Sequence, residues 1–120
     1  MKTILHLFLL LAALTLPSAK AEAQTQSEMN QQAYADYKKA DTALNKIYAQ
    51  VLVKLDEEGQ TKLKAAQRTW VIFRDAQAEL DADFMRGGTA APTLRAGSLA
   101  DTTRQRTQAL KDFLKQLKDL

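Results

Sequence analysis

The chain contains no cysteine, and its single histidine, His6, lies near the amino end. Without cysteine there can be no disulfide staple, no thiolate metal site, no thiol nucleophile and no lipid-modified terminal cysteine. Proline and glycine are sparse, with two and four residues, so the chain has few obligatory turns. No stretch alternates apolar and polar residues with the period of two that marks a half-buried strand. Aromatic residues make up only 7% of the chain. The core must therefore be built mainly from aliphatic side chains.

What is present begins with a leader-like segment. Lys2 is followed by an apolar run from Ile4 to Leu16, then Pro17 and the small residues Ser18, Ala19, Ala21 and Ala23. A positive end, a short apolar stretch and small-x-small sites are the layout of a cleavable secretory signal. The run is shorter than the roughly 18–20 residues of a membrane-spanning helix. Residues 1–23 are expected to be a signal peptide cut after Ala21 or Ala23, and residues 24–120 one helical domain. A periplasmic or secreted protein with no stable membrane anchor is expected. Cleavage after Ala23 removes Lys2, Lys20 and Glu22 and leaves 15 cations against 13 anions, a net charge of +2. The basic balance is thus partly the leader's, and nucleic acid is not an expected partner. His6 departs with the leader, which removes any histidine zinc ligand or Ser-His pair from the mature chain.

Three amphipathic segments follow. Thr25-Gln26-Ser27-Glu28 has the form of a capping box that opens the first helix. Met29, Ala33, Tyr37, Ala40, Leu44, Ile47, Val51 and Leu55 then recur at helical spacing and predict its inward face. Asp56 is placed to cap the next helix, with Glu57 and Glu58 at its positive dipole end. Leu63, Ala66, Trp70, Phe73, Gln77, Leu80 and Phe84 predict the inward stripe of the second helix, and Gly87-Gly88 its stop. Thr89 to Gly97 reads as a loop containing Pro92. Ser98 is the predicted cap of a third helix with Asp101 as its box partner. The inward stripe of that helix is Leu99, Thr103, Arg106, Leu110, Phe113, Leu117 and Leu120. The expected fold is all-α, a small antiparallel three-helix bundle behind a cleavable signal peptide.

Polar residues lie at or beside each stripe. Asp41, Asn45 and Tyr48 share one side of the first helix, and Gln67, Trp70 and Arg74, followed by Asp75, one side of the second. With Arg106 of the third, these eight residues are expected to form a scaffold network. Asp41 would pair with Arg74 or Arg106, and Asn45 and Gln67 would bond across the seam. A ligand pocket built from the same groups is the sharper alternative. Asp41 and Asp75 have no spacing that sets them across a cleft as a glycosidase requires. Glu79, Asp81 and Asp83 lack the glycine-centred loop of a calcium hand and read as a solvated acidic face. No catalytic residue, cofactor or metal ligand is expected. The loop carrying Gly87, Gly88, Thr89, Pro92 and Arg95 is the candidate partner contact.

Taken together, Thr25 to Asn30, Ala40-Asp41-x-x-Leu44-Asn45-x-x-Tyr48, Leu63-x-x-Ala66-Gln67-x-x-Trp70-x-x-x-Arg74-Asp75-Ala76, Gly87-Gly88-Thr89 and Thr103-Arg104-x-Arg106 resemble the LprI-like lysozyme-inhibitor N-terminal domain family. The resemblance runs from Thr25 to about Leu110. It implies an exported helical domain, not an enzyme, that inhibits lysozyme by protein contact. Family members commonly carry cysteines where this chain has Gln32, Ala78 and Ser98, so the staples implied by the family are missing here. The namesake's lipid anchor is missing too. A basic lysozyme would not be steered by a net charge of +2, so contact must come from a local acidic patch or from loop insertion. The competing expectations are another envelope partner, a small ligand, or a structural or adaptor role without inhibition.

Overall fold

A computed structural model describes the backbone of residues 19–120 and the side chains of residues 25–120. The predicted leader lies almost wholly outside the described residues. Among them the chain is all-helical, with α1 Ala19–Leu52, α2 Glu57–Asp83 and α3 Ala91–Lys118. None of these helices is long and apolar enough to cross a membrane.

The start of α1 departs from the sequence reading. Thr25 to Glu28 lies inside the helix, not at its amino end. Alanine, lysine, glutamate and glutamine at 19–24 are strong helix formers, so nothing there stops the helix from extending before the motif. The break after α1 follows the prediction. Asp56 takes an extended conformation and its Oδ1 accepts from the Gly59 amide at 2.8 Å. A Cβ on Gly59 would stand 3.0 Å from that same oxygen and 3.2 Å from Leu55 Cβ. Glycine is what lets the cap close. Gln60 fastens the turn from the other side, its Nε2 donating to the carbonyls of Leu52 at 3.0 Å and Leu55 at 3.2 Å.

The second connection is shorter than the sequence suggests. α2 ends at Asp83, Gly87 takes φ +74° in the turn beyond it, and α3 begins at Ala91. Residues 91–97 are therefore helix, not loop. Pro92 sits in the first turn of α3, where its missing N–H is no loss and its fixed φ suits the helix. Ser98 and Asp101 do not cap α3: Ser98 is a buried interior residue, and Asp101 pairs with Arg104 at 2.6 Å.

α3 packs closely against both α1 and α2, whereas the backbones of α1 and α2 barely approach one another. The core joins Leu44, Ile47 and Val51 of α1, Leu63 of α2, and Leu110 and Leu114 of α3, with Tyr48, Leu52, Leu55, Trp70 and Leu117 around it. Burying such an aliphatic side chain contributes about 1.5–3 kcal/mol before entropy is subtracted. Toward the amino end of α3 the buried residues become small: Ala96, Ser98, Ala100, Thr102, Thr103 and Thr107. Thr93, Ala100 and Thr107 recur every seven residues and share one face. Thr93 bonds to Gln26, and also to Asn30, while Thr107 borders Ala43 and Ile47. Ala100 lies between them, 1% exposed, on the side of α1. Small side chains there let the two helix axes come together.

The inward stripes are partly corrected. On α1 the stripe holds from Ala40 to Val51, but Met29 is exposed. On α2 the buried residues are Leu63, Ala78 and Ala82, while Ala66, Phe73, Leu80 and Phe84 face solvent. On α3, Phe113 and Leu120 are exposed and Leu114 is buried. The helix at 91–97 has a direct test. A Cβ on Gly97 would meet nothing within 4 Å, and glycine inside a helix costs about 0.5–1 kcal/mol relative to alanine. Gly97→Ala is expected to raise stability by about that amount, read as a higher melting temperature by circular dichroism. No gain would place Gly97 outside a helix.

Candidate functional site

The seam between α1 and α2 is closed by long side chains. Arg74 is largely buried, and its guanidinium carbon lies 5.3 Å from the Trp70 ring centroid and 5.7 Å from that of Tyr37. Trp70 is one turn before it on α2, and Tyr37 reaches across from α1. A desolvated cation over such faces is held by about 1–2 kcal/mol per ring. Its charge is met by the neighbouring Asp75, 2.9 Å away. Tyr37 belongs to this cluster although the sequence reading placed it only in the apolar stripe.

Arg106 is half-buried between α2 and α3, and its Nε donates to Gln67 Oε1 at 3.0 Å. Burial pushes its pKa down from the ordinary arginine value. Asp41 is half-buried on α1, and among the described residues no ion pair joins it to Arg74 or Arg106. Asn45 is exposed, so the bond expected between it and Gln67 is not made. Tyr48 and Trp70 each pack against the edge of the core. Of the eight residues, the structure thus joins Trp70, Arg74 and Asp75 in one cluster and Gln67 with Arg106 in another.

The far end of α2 is tied to α3 by polar pairs. Arg95 Nε and Nη2 donate to Glu79 Oε1 and Oε2 at 2.7 and 3.3 Å, and Ser98 Oγ donates to Asp81 Oδ2 at 2.6 Å. Arg95 is therefore a helix residue facing α2, not part of a contact loop. Arg86 forks onto Asp83 at 2.7 and 2.6 Å. Gly87, Gly88 and Thr89 are exposed in the turn, with Pro92 just inside α3. The acidic run Glu79, Asp81, Asp83 is thus largely spent on internal pairs. Among the described residues no group of three or more His, Cys, Asp or Glu side chains converges as a metal site.

Beside this turn lies what the apolar pattern concealed. Phe73, Leu80 and Phe84 stand on one side of α2 and are 55%, 67% and 88% exposed. Ile72 and Met85 flank them. Apolar patches of this kind mark contact surfaces more often than chance exposure does. The signal in the sequence was the second register Leu63, Gln67, Trp70, Arg74, Ala78, Ala82, whose small members match the small residues of α3.

These features define a small helical domain whose seams are crossed by paired polar side chains and which, among the described residues, carries an uncovered apolar stripe along α2. The chain belongs to the LprI lysozyme-inhibitor family, which matches residues 18–110. It is also 38% identical over 106 residues to an uncharacterized protein of Rhizobium meliloti (strain 1021), covering 78% of this chain and 76% of that one. No solved structure matches the chain.

The Glu79–Arg95 pair has a defined pH signature. The guanidinium holds the Glu79 carboxyl below its ordinary value of 4.5. A depressed carboxyl pKa stabilises the fold above the unfolded value and ceases to do so as pH falls through the folded one. The melting temperature of Glu79→Gln is expected to lie below wild type by a constant margin between pH 7 and pH 5 (about the neutral range of maximal stability), and the margin should shrink as pH falls below 4.5. Parallel melting curves down to full acid would show that the pair contributes nothing.

Proposed function

We propose that this protein is an exported lysozyme inhibitor that acts by protein contact and carries out no catalysis of its own. Residues 1–23 act as the leader, and the mature chain works in the periplasm or outside the cell without a membrane anchor. Consecutive helices run antiparallel in this reading, in keeping with the pairs Gln67–Arg106 and Glu79–Arg95, where higher numbers on α3 meet lower numbers on α2. Family membership supports lysozyme as the partner. The observation that carries the choice of surface is the uncovered stripe Phe73, Leu80, Phe84, which leads into the turn holding Gly87, Gly88 and Thr89.

Asp75, Glu79 and Asp83 already face arginines, so charge attraction to a basic enzyme is weak and apolar burial supplies the affinity. Hot spots of this type are few, aromatic or large, and central. The seam residues Tyr48, Gln67, Trp70, Arg74, Asp75 and Arg106 hold the surface in place without touching the partner.

In a lysozyme cell-wall lysis assay the protein is expected to block lysis at near-stoichiometric ratio, with little dependence on salt. Leu80→Asp and Phe84→Asp should raise the half-inhibitory concentration at least tenfold while leaving the melting temperature unchanged, since both side chains are exposed. Undiminished lysis at a large molar excess of protein would overturn the inhibitor reading. Full inhibition by both variants would overturn the choice of surface.

A further inference from the structure

A second surface lies at the opposite end of the α2–α3 seam. Leu55, Leu63, Ala66, Leu110 and Phe113 line an open groove of about 410 Å³ with Arg106 at its side. That volume falls within the roughly 300–1,000 Å³ typical of small-molecule sites. Leu63 and Leu110 are core residues, so the groove has a fixed floor.

Arg106 is the unusual member. Arg74, Arg86, Arg95 and Arg104 each hold a carboxylate within 2.9 Å. Arg106 is half-buried, and among the described residues its partner is the neutral Gln67 oxygen. That bond uses Nε, one of five N–H donors in the guanidinium fork. Burying a cation without an anion is costly, and a carboxylate on the fork is the arrangement that offsets it. Lys62, at the rim, is already neutralised by Glu58 at 2.8 Å. The groove therefore presents one uncompensated positive charge beside an apolar trough.

We infer that this groove binds an amphiphilic carboxylate, a fatty-acid anion with its head on Arg106 and its chain along Leu63, Leu110 and Phe113. A small inorganic anion would leave the trough empty, and a neutral alkyl chain would leave Arg106 without an anion. The site is separate from the Phe73–Phe84 stripe and does not rest on lysozyme binding.

The test is calorimetric titration of the full chain with dodecanoate below its micelle concentration, alongside dodecanol and acetate. One saturable site per chain is expected for dodecanoate, with at least tenfold weaker binding of dodecanol and of acetate. Arg106→Gln should weaken dodecanoate at least tenfold. Ala109→Trp, which fills the groove from an exposed position and keeps Arg106, should abolish binding while the chain still melts cooperatively; it decides the matter if Arg106→Gln does not melt cooperatively. Absence of saturable dodecanoate binding, equal affinity for dodecanol, or undiminished binding by Ala109→Trp would overturn the assignment. Failure of dodecanoate together with capture of an acidic amphipathic peptide in the groove would overturn it in favour of a protein partner.

Discussion

The structure depends on the close approach of α3 to α1 through side chains of one to three heavy atoms. Ala96, Ala100, Thr103 and Thr107 are buried along α3, and Ala40 is buried on α1. Large residues there would push the axes apart and pull Leu110 and Leu114 away from Leu44, Ile47 and Val51. The aliphatic cluster at one end and the Thr93–Asn30–Gln26 contact at the other are both consequences of that spacing. Without a disulfide, nothing covalent restores the arrangement if this contact is loosened.

The second seam works by a different rule. α1 and α2 stand apart, and the gap is spanned by Tyr37, Trp70 and Arg74. An arginine suits that position because its flat cation can stack on two rings while its fork meets Asp75. The α2–α3 seam is intermediate, with Leu63 against the core at one end and the small residues Ala78 and Ala82 beside Ser98 and Arg95 pairs at the other. Three helices thus meet through three kinds of contact, and this asymmetry fixes which helix neighbours which.

The same asymmetry explains how much was legible in the sequence. Periodicity reads correctly where burial is carried by large aliphatic residues, as in Leu44 to Val51, and the Asp56 cap is readable because its signal is local. Periodicity misleads where the buried face is made of Ala, Ser and Thr. On α2 the larger side chains Phe73, Leu80 and Phe84 outweigh Ala78 and Ala82 in any apolar stripe, yet the small ones are buried. Pro92 is ambiguous in the sequence because proline both breaks helices and starts them, and only the position of the preceding turn decides between the two. Of the polar residues, spacing points to a side of each helix but not to partners: Arg106 meets Gln67, Arg74 meets aromatic faces in place of Asp41, and Asn45 is exposed. The uncovered stripe on α2 is the part of the candidate site that the sequence hid, and it follows from that same register.

The central claim is that α3 must be small where it meets α1. The most direct measurement is the melting temperature of Ala100→Leu, with helix content read at the same time. Overpacking a side chain that is 1% exposed is expected to cost about 1–3 kcal/mol, a fall of several degrees or more with loss of cooperativity. A variant that melts at the wild-type temperature with unchanged cooperativity would contradict the account.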